Sequence, residues 1–280
     1  MTQLDDMITG WKSHFWAADH EIEWRAVEAQ KAVWLSDNTL LAGTIDALGY
    51  NGEGKLFFGE WKTANPREKN TWKQMWRMTP QSLTYGVLVA RDPSIMGNCS
   101  TFTVRKAFKE RTTPTFDHAW YSYTPAELKH WEGQLLQIAD EMRAYRARGS
   151  EPWPTNFQRC FQFGTSYVCP FFEKGCQKQN WSYAPEGASI KPEEQYIADA
   201  LEMVPFKRDL VILRQSSVHD WLGCREMFRK RHEERLTMPA TEALALGTDF
   251  HGAMAEYYRS LMALRGAPVE ATKFVLDVQP

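Results

Sequence analysis

The stretch Asn51-Gly52-Glu53-Gly54 leaves the apolar segments on either side of it little choice of structure. Asn and Gly accept positive φ, which a tight hairpin demands, so residues 40–48 and 55–62 are expected to be buried strands paired antiparallel. Side chains alternate faces along a strand. In Gly59-Glu60-Trp61-Lys62 the side chains of Glu60 and Lys62 therefore point one way and Trp61 the other. Asp46, closing Gly43-Thr44-Ile45-Asp46, can face the same cleft from the neighbouring strand. Two converging carboxylates repel each other and are costly to desolvate unless a cation bridges them; a hard divalent ion does so through oxygen ligands. Beside such an ion, Lys62 would orient or help deprotonate a water and stabilise charge developing on phosphorus. The residues alone leave a plainer reading open, three solvated polar groups on the outer face of a hairpin.

The remaining pattern alternates helix and strand. Residues 21–34 mix charge with Ile22, Trp24, Val27, Val33 and Trp34 and lead into a strand. Thr79-Pro80 has the form of an N-cap followed by proline at the first helical position, opening a helix through about residue 89. Residues 99–108 read as a strand. Thr124-Pro125-Ala126-Glu127 is a capping box, and beyond it Leu128, Trp131, Leu135, Ile138, Met142 and Tyr145 recur at helical steps. A Pro- and aromatic-rich irregular stretch carries Cys160, Cys169 and Cys176, and residues 177–195, with Pro185, Gly187 and Pro192, read as linker. Residues 210–213 form a short strand or extended lead-in. Ser216 or Ser217 is expected to cap a helix containing Trp221, Cys224 and Phe228. A last helix over about 242–264 buries Phe250, Met254, Tyr257 and Leu261.

Composition sets limits. The 280 residues carry a net charge of −2, so no global basic field advertises nucleic acid, and contact with DNA would come from a local groove. The 12 tryptophans should mostly fill core, leaving a few to stack on bases. No run approaches the roughly 20 apolar residues of a membrane span, and the acidic start lacks the order of a signal peptide, so a cytoplasmic chain is expected. Five cysteines, an odd number, argue against a disulfide framework and leave metal ligation open. Cys99 matches no motif.

The order "G-x-I-D, turn, strand ending E-x-K" resembles the PD-(D/E)XK nucleases, especially the RecB-like exonucleases. Gln81 and Tyr85, four apart on one helical face, look like that family's Q-x-x-x-Y motif, whose members support the active site and contact DNA. Without the family pattern they read as a polar residue at a helix start and a core tyrosine. The segment Cys169-Pro170-Phe171-Phe172-Glu173-Lys174-Gly175-Cys176 is similar to the cysteine cluster of iron–sulfur members such as AddB and the CRISPR-associated adaptation nucleases. The resemblance implies a [4Fe–4S] cluster on Cys160, Cys169, Cys176 and the distant Cys224, although Arg225-Glu226 stands where the family has proline then arginine. A four-cysteine zinc site and inert buried thiols stay open.

In those families the distant cysteine and a G-x-x-x-H helix precede the catalytic strands. Here Gly247-Thr248-Asp249-Phe250-His251 follows them. The resemblance thus implies a restriction-endonuclease-like α/β fold in circularly permuted order: residues 1–176 as nuclease core, 177–209 joining the old ends, and 210–280 packed into the same domain. A truncated second module, or completion of a neighbouring chain's site in a homo-oligomer, is the rival. His251 is implied as a nitrogen ligand to Mg²⁺ or Mn²⁺ with Asp46 and Glu60; alone, it reads as a structural histidine. Glu28 stands where RecB-like phage nucleases often carry a glutamate. The implied function is DNA hydrolysis, acting on single strands or ends, in recombination, repair or phage replication. The alternative is a non-cleaving DNA-binding or interaction module of the same fold.

Overall fold

The hairpin forms as expected, and a sheet grows from it. The structure, a computed structural model, describes residues 2–64, 71–91, 101–108, 113–149, 151–160, 168–190, 209–239 and 241–265. Cys99 lies outside them, as do residues 161–167 between the first two late cysteines and residues 191–208 of the stretch read as linker. In chain order the first elements are α1 (Gln3–Glu21), β1 (Glu23–Ser36), β2 (Thr39–Tyr50), β3 (Leu56–Ala64), α2 (Trp72–Trp76) and α3 (Pro80–Arg91). Then come β4 (Thr101–Phe108), β5 (Thr115–Ser122), α4 (Pro125–Ala147), α5 (Phe157–Cys160), β6 (Ser189–Ile190), β7 (Val211–Leu213), α6 (Gln215–Gly223), α7 (Arg225–Phe228), β8 (Leu236–Thr237) and α8 (Glu242–Leu264).

The main sheet runs β1-β2-β3-β4-β5 and is mixed: β2–β3 and β4–β5 are antiparallel, whereas β3 and β4 are parallel. Asn51 closes the β2–β3 turn with its side chain, whose Oδ1 accepts from the Glu53 and Lys55 amides at 3.1 and 2.9 Å. The chain divides into two units. One comprises Met1–Val33, Ala42–Glu132 and Ala240–Pro280; the other comprises Trp34–Leu41 and Gly133–Pro239.

In the first unit, helices cover both faces of the sheet. On one face Met7, Trp11 and Phe15 of α1 and Phe250, Met254 and Tyr258 of α8 pack with Trp24, Phe57 and Trp61. This is the apolar stripe of each helix meeting the alternating residues of each strand. On the other face lies α3. A Cβ on Gly43 would stand 3.0 Å from the Tyr85 ring and 3.3 Å from Leu88, so glycine there lets α3 approach β2 closely. Thr79 caps α3, its Oγ1 accepting from the Ser82 amide at 3.3 Å, with Pro80 next in line. Thr124 and Glu127 make the expected reciprocal capping bonds, 3.2 and 2.8 Å, at the start of α4.

In the second unit, the first residues of β2 pair in parallel with β7, and Trp153, Trp221 and Phe228 pack ring on ring. Within the stretch read as linker, β6 pairs antiparallel with β8. One expectation is corrected: Cys224 does not sit inside a helix with Trp221 and Phe228. Its backbone is extended, at φ −161° and ψ 117°, and separates α6 from α7. Its amide closes α6 on the Asp220 carbonyl at 2.8 Å while its own carbonyl accepts from Phe228 at 3.0 Å, so the thiol leaves the helical register. Ser217 does not cap α6 from outside either; it lies inside the first turn, where its hydroxyl accepts from the Arg214 amide at 2.8 Å.

Candidate metal centre

The β2–β3 ladder pairs Ala47 with Gly59. One residue further along each strand stand Asp46 and Glu60, on the face away from Trp61. Both are buried, 7% and 3% exposed. Asp46 Oδ2 accepts from the Trp61 amide at 2.6 Å. Glu60 Oε1 accepts from Gln81 Nε2 at the start of α3 and pairs with the Lys62 ammonium. Glu60 Oε2 is buried with no hydrogen-bond partner. From α8, His251 Nδ1 comes to 3.6 Å from Asp46 Oδ2 within the same chain. Glu28 arrives from β1, and its carboxylate, that of Asp46 and the His251 ring offer ligand atoms all within 4.8 Å of one another.

Glu28 reaches this position because its backbone leaves the strand. It has φ +52°, left-handed for a residue with a side chain, in the middle of β1. Alternation breaks there: Trp24 and Ala26 are buried, then Ala29 and Ala32. Such a residue costs about 1–3 kcal/mol and persists only where its surroundings hold it, often at functional sites. By contrast, a Cβ on Gly247 would lie an ordinary 3.5 Å from Thr63, so packing alone does not demand the glycine of Gly247-x-x-x-His251.

Electrostatically the site is short of positive charge. Burial, partly opposed by Lys62, raises the Asp46 pKa to about 7. Glu60 also rises to about 7, through burial first and the neighbouring Asp46 second. Glu28 moves upward for the same two reasons, with Glu60 as its neighbour. Burial pulls the Lys62 ammonium down, but Glu60 and Asp46 outweigh it and the net direction is up. His251 is lowered by burial and by Lys62, which keeps its ring neutral and its lone pair free. The Tyr85 hydroxyl is pushed well above its usual value by burial and by Glu60, so it stays protonated beside Gln81. Three carboxylates against one ammonium leave two negative charges in a poorly solvated place, which protons occupy in part. A divalent cation matches that charge, and the oxygen-rich set with one imidazole suits Mg²⁺ or Mn²⁺. The unpartnered Glu60 oxygen leaves one buried carboxylate atom free to take such an ion.

The structure thus brings Asp46, Glu60, Lys62, Gln81, Tyr85, His251 and Glu28 together. Sequence reasoning missed the Trp61 amide that holds Asp46, because a backbone donor has no residue signature.

The four other candidates lie in the second unit. Cys160, Cys169 and Cys224 are buried, Cys176 is partly exposed, and none is in a disulfide. The Cys169 amide donates to the Cys160 carbonyl at 2.8 Å. Asn156 lies between two thiols: its amide reaches Cys224 Sγ at 3.5 Å and its carbonyl accepts from Cys160 Sγ at 3.8 Å. Burial pushes the Cys160 thiol up to about 12, with Cys169, Cys224 and Cys176 adding to the rise. Cys176 goes to about 11 by burial, with Glu226, Cys224 and Cys169 contributing. The Cys169, Cys176 and Cys224 thiols thus all stand near Cys160, yet among the described residues only Glu28, Asp46 and His251 form a three-ligand group within 4.8 Å. Among the described residues, no helix is long and apolar enough to cross a membrane. Compared with known proteins, the sequence matches no family model and no curated relative.

Proposed function

We propose that this chain is a divalent-metal-dependent deoxyribonuclease of the PD-(D/E)XK type, RecB-like and circularly permuted. The observation that carries the reading is the buried, undercompensated pair Asp46–Glu60 with Lys62 on Glu60 and His251 on Asp46. A structural ion pair would be balanced; here one ammonium faces two carboxylates and a Glu60 oxygen is left unpartnered. Asp46, Glu60, His251 and Glu28 would hold the ion. Bound there, it would supply Lewis acidity toward a phosphoryl oxygen and lower the pKa of water. Lys62, partly exposed, orients the attacking water and stabilises charge on the phosphorane-like transition state. Gln81 fixes the Glu60 carboxylate, and Tyr85, protonated, supports Gln81. The permuted order is supported by His251 meeting Asp46 within one chain. For the cysteines we propose a structural [4Fe–4S] group held by Cys160, Cys169, Cys176 and Cys224, supported by the nearness of the other three thiols to Cys160 and by Asn156 touching both Cys160 and Cys224.

The test is cleavage of labelled DNA with Mn²⁺ or Mg²⁺, comparing the parent with Lys62→Ala. Metal-dependent cleavage lost in the variant is expected. Equal turnover by both proteins refutes the mechanism, and metal binding without cleavage by the parent indicates a binding module instead. End-blocked against open DNA then assigns exonuclease or endonuclease action.

A further inference from the structure

Behind the sheet, on the face opposite Glu60 and Lys62, the first unit buries a cation. Arg105 on β4 stands in register with Trp61 on β3 and is 3% exposed. Its guanidinium lies 4.4 Å from the Phe15 ring centre, 5.8 Å from Trp24 and 5.5 Å from Trp61. It donates to Asp19 at the end of α1 and, at 2.9 Å, to the Tyr258 hydroxyl of α8. Trp11 Nε1 donates to the same hydroxyl at 3.0 Å. The Tyr258 ring stacks on Trp61, centroids 4.8 Å apart and planes 20° apart.

An apolar set of equal volume would stabilise this core as well or better, because desolvating an ion pair offsets most of its attraction. What the pair adds is direction. Its bonds fix α1 and α8 to one position on β4, where apolar packing alone tolerates sliding. Two parts of the metal centre depend on that position. Trp61, packed against both Arg105 and Tyr258, presents the amide that Asp46 accepts and separates Glu60 from Lys62. His251 stands seven residues before Tyr258, two turns along the same face of α8.

We infer that Arg105, acting through Trp61 and Tyr258, is a positioning residue that sets the distance between His251 and the carboxylates on the other side of the sheet. This rests on the metal-dependent reading above. Arg105 touches neither the ion's ligands nor a substrate, and its effect passes through the backbone of β3 and the axis of α8.

Mn²⁺ is the probe, added to the full chain. Tyr258→Phe keeps the ring and removes the acceptor shared by Arg105 and Trp11; Arg105→Lys keeps the charge and removes the planar fork. Each is expected to weaken Mn²⁺ binding about tenfold or more, the range seen when groups supporting metal ligands are lost. The hyperfine pattern of bound Mn²⁺ should change, and kcat should fall at saturating Mn²⁺ with KM for DNA held. The control is Phe102→Leu, on the same strand and stacked with Phe58, Tyr121 and Tyr123. It should lower the melting temperature and leave Mn²⁺ binding as in the parent. Parent-like Mn²⁺ affinity and spectrum in folded Tyr258→Phe overturn the inference, and that variant decides alone if Arg105→Lys does not fold. Asp46→Asn separates the two levels. If it too binds Mn²⁺ like the parent, the metal reading has failed and the positioning role falls with it. If it alone loses Mn²⁺, the site stands and only the positioning role is wrong.

Discussion

Neutralising Asp46 should make the metal-free protein more stable at alkaline pH while removing its function. Asp46 is an acid whose pKa rises on folding, from 3.8 to about 7, chiefly through burial. Below the unfolded value the carboxyl is neutral in both states and costs nothing. As pH climbs toward 7 the unfolded chain ionises while the folded one resists, so stability falls, and above the folded pKa the penalty is constant. The shift of about 3 units corresponds to about 4 kcal/mol at most. Glu60 shares the same poorly solvated space, so the two shifts are not independent, and about 2 kcal/mol is the safer expectation. In Asp46→Asn the amide oxygen can still accept from the Trp61 amide, so the packing bond survives. For a protein of this size, about 2 kcal/mol raises the melting temperature by roughly 4–8 °C. The assay is thermal unfolding in EDTA at pH 5 and pH 8, then with Mn²⁺. The variant should gain on the parent mainly at pH 8. Mn²⁺ at about 100 times its Kd should stabilise the parent by about 2.7 kcal/mol and the variant hardly at all. A variant no more stable than the parent at pH 8, or one that Mn²⁺ stabilises equally, refutes the claim that this carboxylate is held for a cation.

Lys62→Ala should lower DNA cleavage by about 10²–10³-fold, the scale of one lost transition-state contact, while calorimetry shows Mn²⁺ still bound. Gln81→Ala removes one of the two groups that hold Glu60 Oε1 and should weaken Mn²⁺ binding about tenfold or more without abolishing cleavage at saturating metal. Glu28→Gly removes a ligand and relieves a left-handed backbone, so unfolding at low pH should show a small gain in stability while Mn²⁺ titration shows weaker binding. Anaerobically purified protein should be brown, absorb near ~400 nm and contain iron; Cys224→Ser should lose the colour and loosen the second unit, whereas a colourless protein containing zinc would overturn the cluster proposal.

Much of the site was readable because its residues sit on elements with strong local signals. The Asn51-Gly52-Glu53-Gly54 turn fixes the register of β2 against β3, and register decides which faces Asp46, Glu60 and Lys62 occupy. The N-cap at Thr79 fixes the phase of α3, and with it where Gln81 and Tyr85 point. Other features went unread for different reasons. The helix α1 has a capping box at Thr2 and Asp5, but its buried stripe of Met7, Trp11 and Phe15 ends in the carboxylate Asp19 and runs beside the exposed Trp16, so its apolar period is blurred. For β5 the reason is physical. Its residues are half-buried or exposed throughout, so Thr115–Ser122 shows no apolar face to betray the strand. The split at Cys224 hides because Trp221 and Phe228 keep nearly helical spacing across an extended residue.

The deepest gap concerns cations. Arg105 and Lys106 are consecutive on β4 and carry no local mark of burial, yet both are buried. Alternation sends Arg105 to the Trp61 side and Lys106 to the Lys62 side, in the β3–β4 register Trp61–Arg105 and Lys62–Lys106. There Lys106 lies over Trp72 and Trp76, 5.2 and 5.0 Å from the ring centres. Such placements depend on partners far away in sequence, Asp19 and Tyr258 on one side and α2 on the other, and no local window contains them. What a window does contain is the parity of the strand. Given Glu60-Trp61-Lys62, the same alternation that aims two charged groups at the cleft beside Asp46 aims an indole at the core, so a single three-residue run fixes which face carries the candidate site and which packs. Moving β3 by one residue against β2 would put Trp61 in the place of the carboxylate and both charges into the aromatic cluster. Glycine at 59 makes room for that indole, because a Cβ there would stand 2.9 Å from the Trp61 ring, which lies back over it.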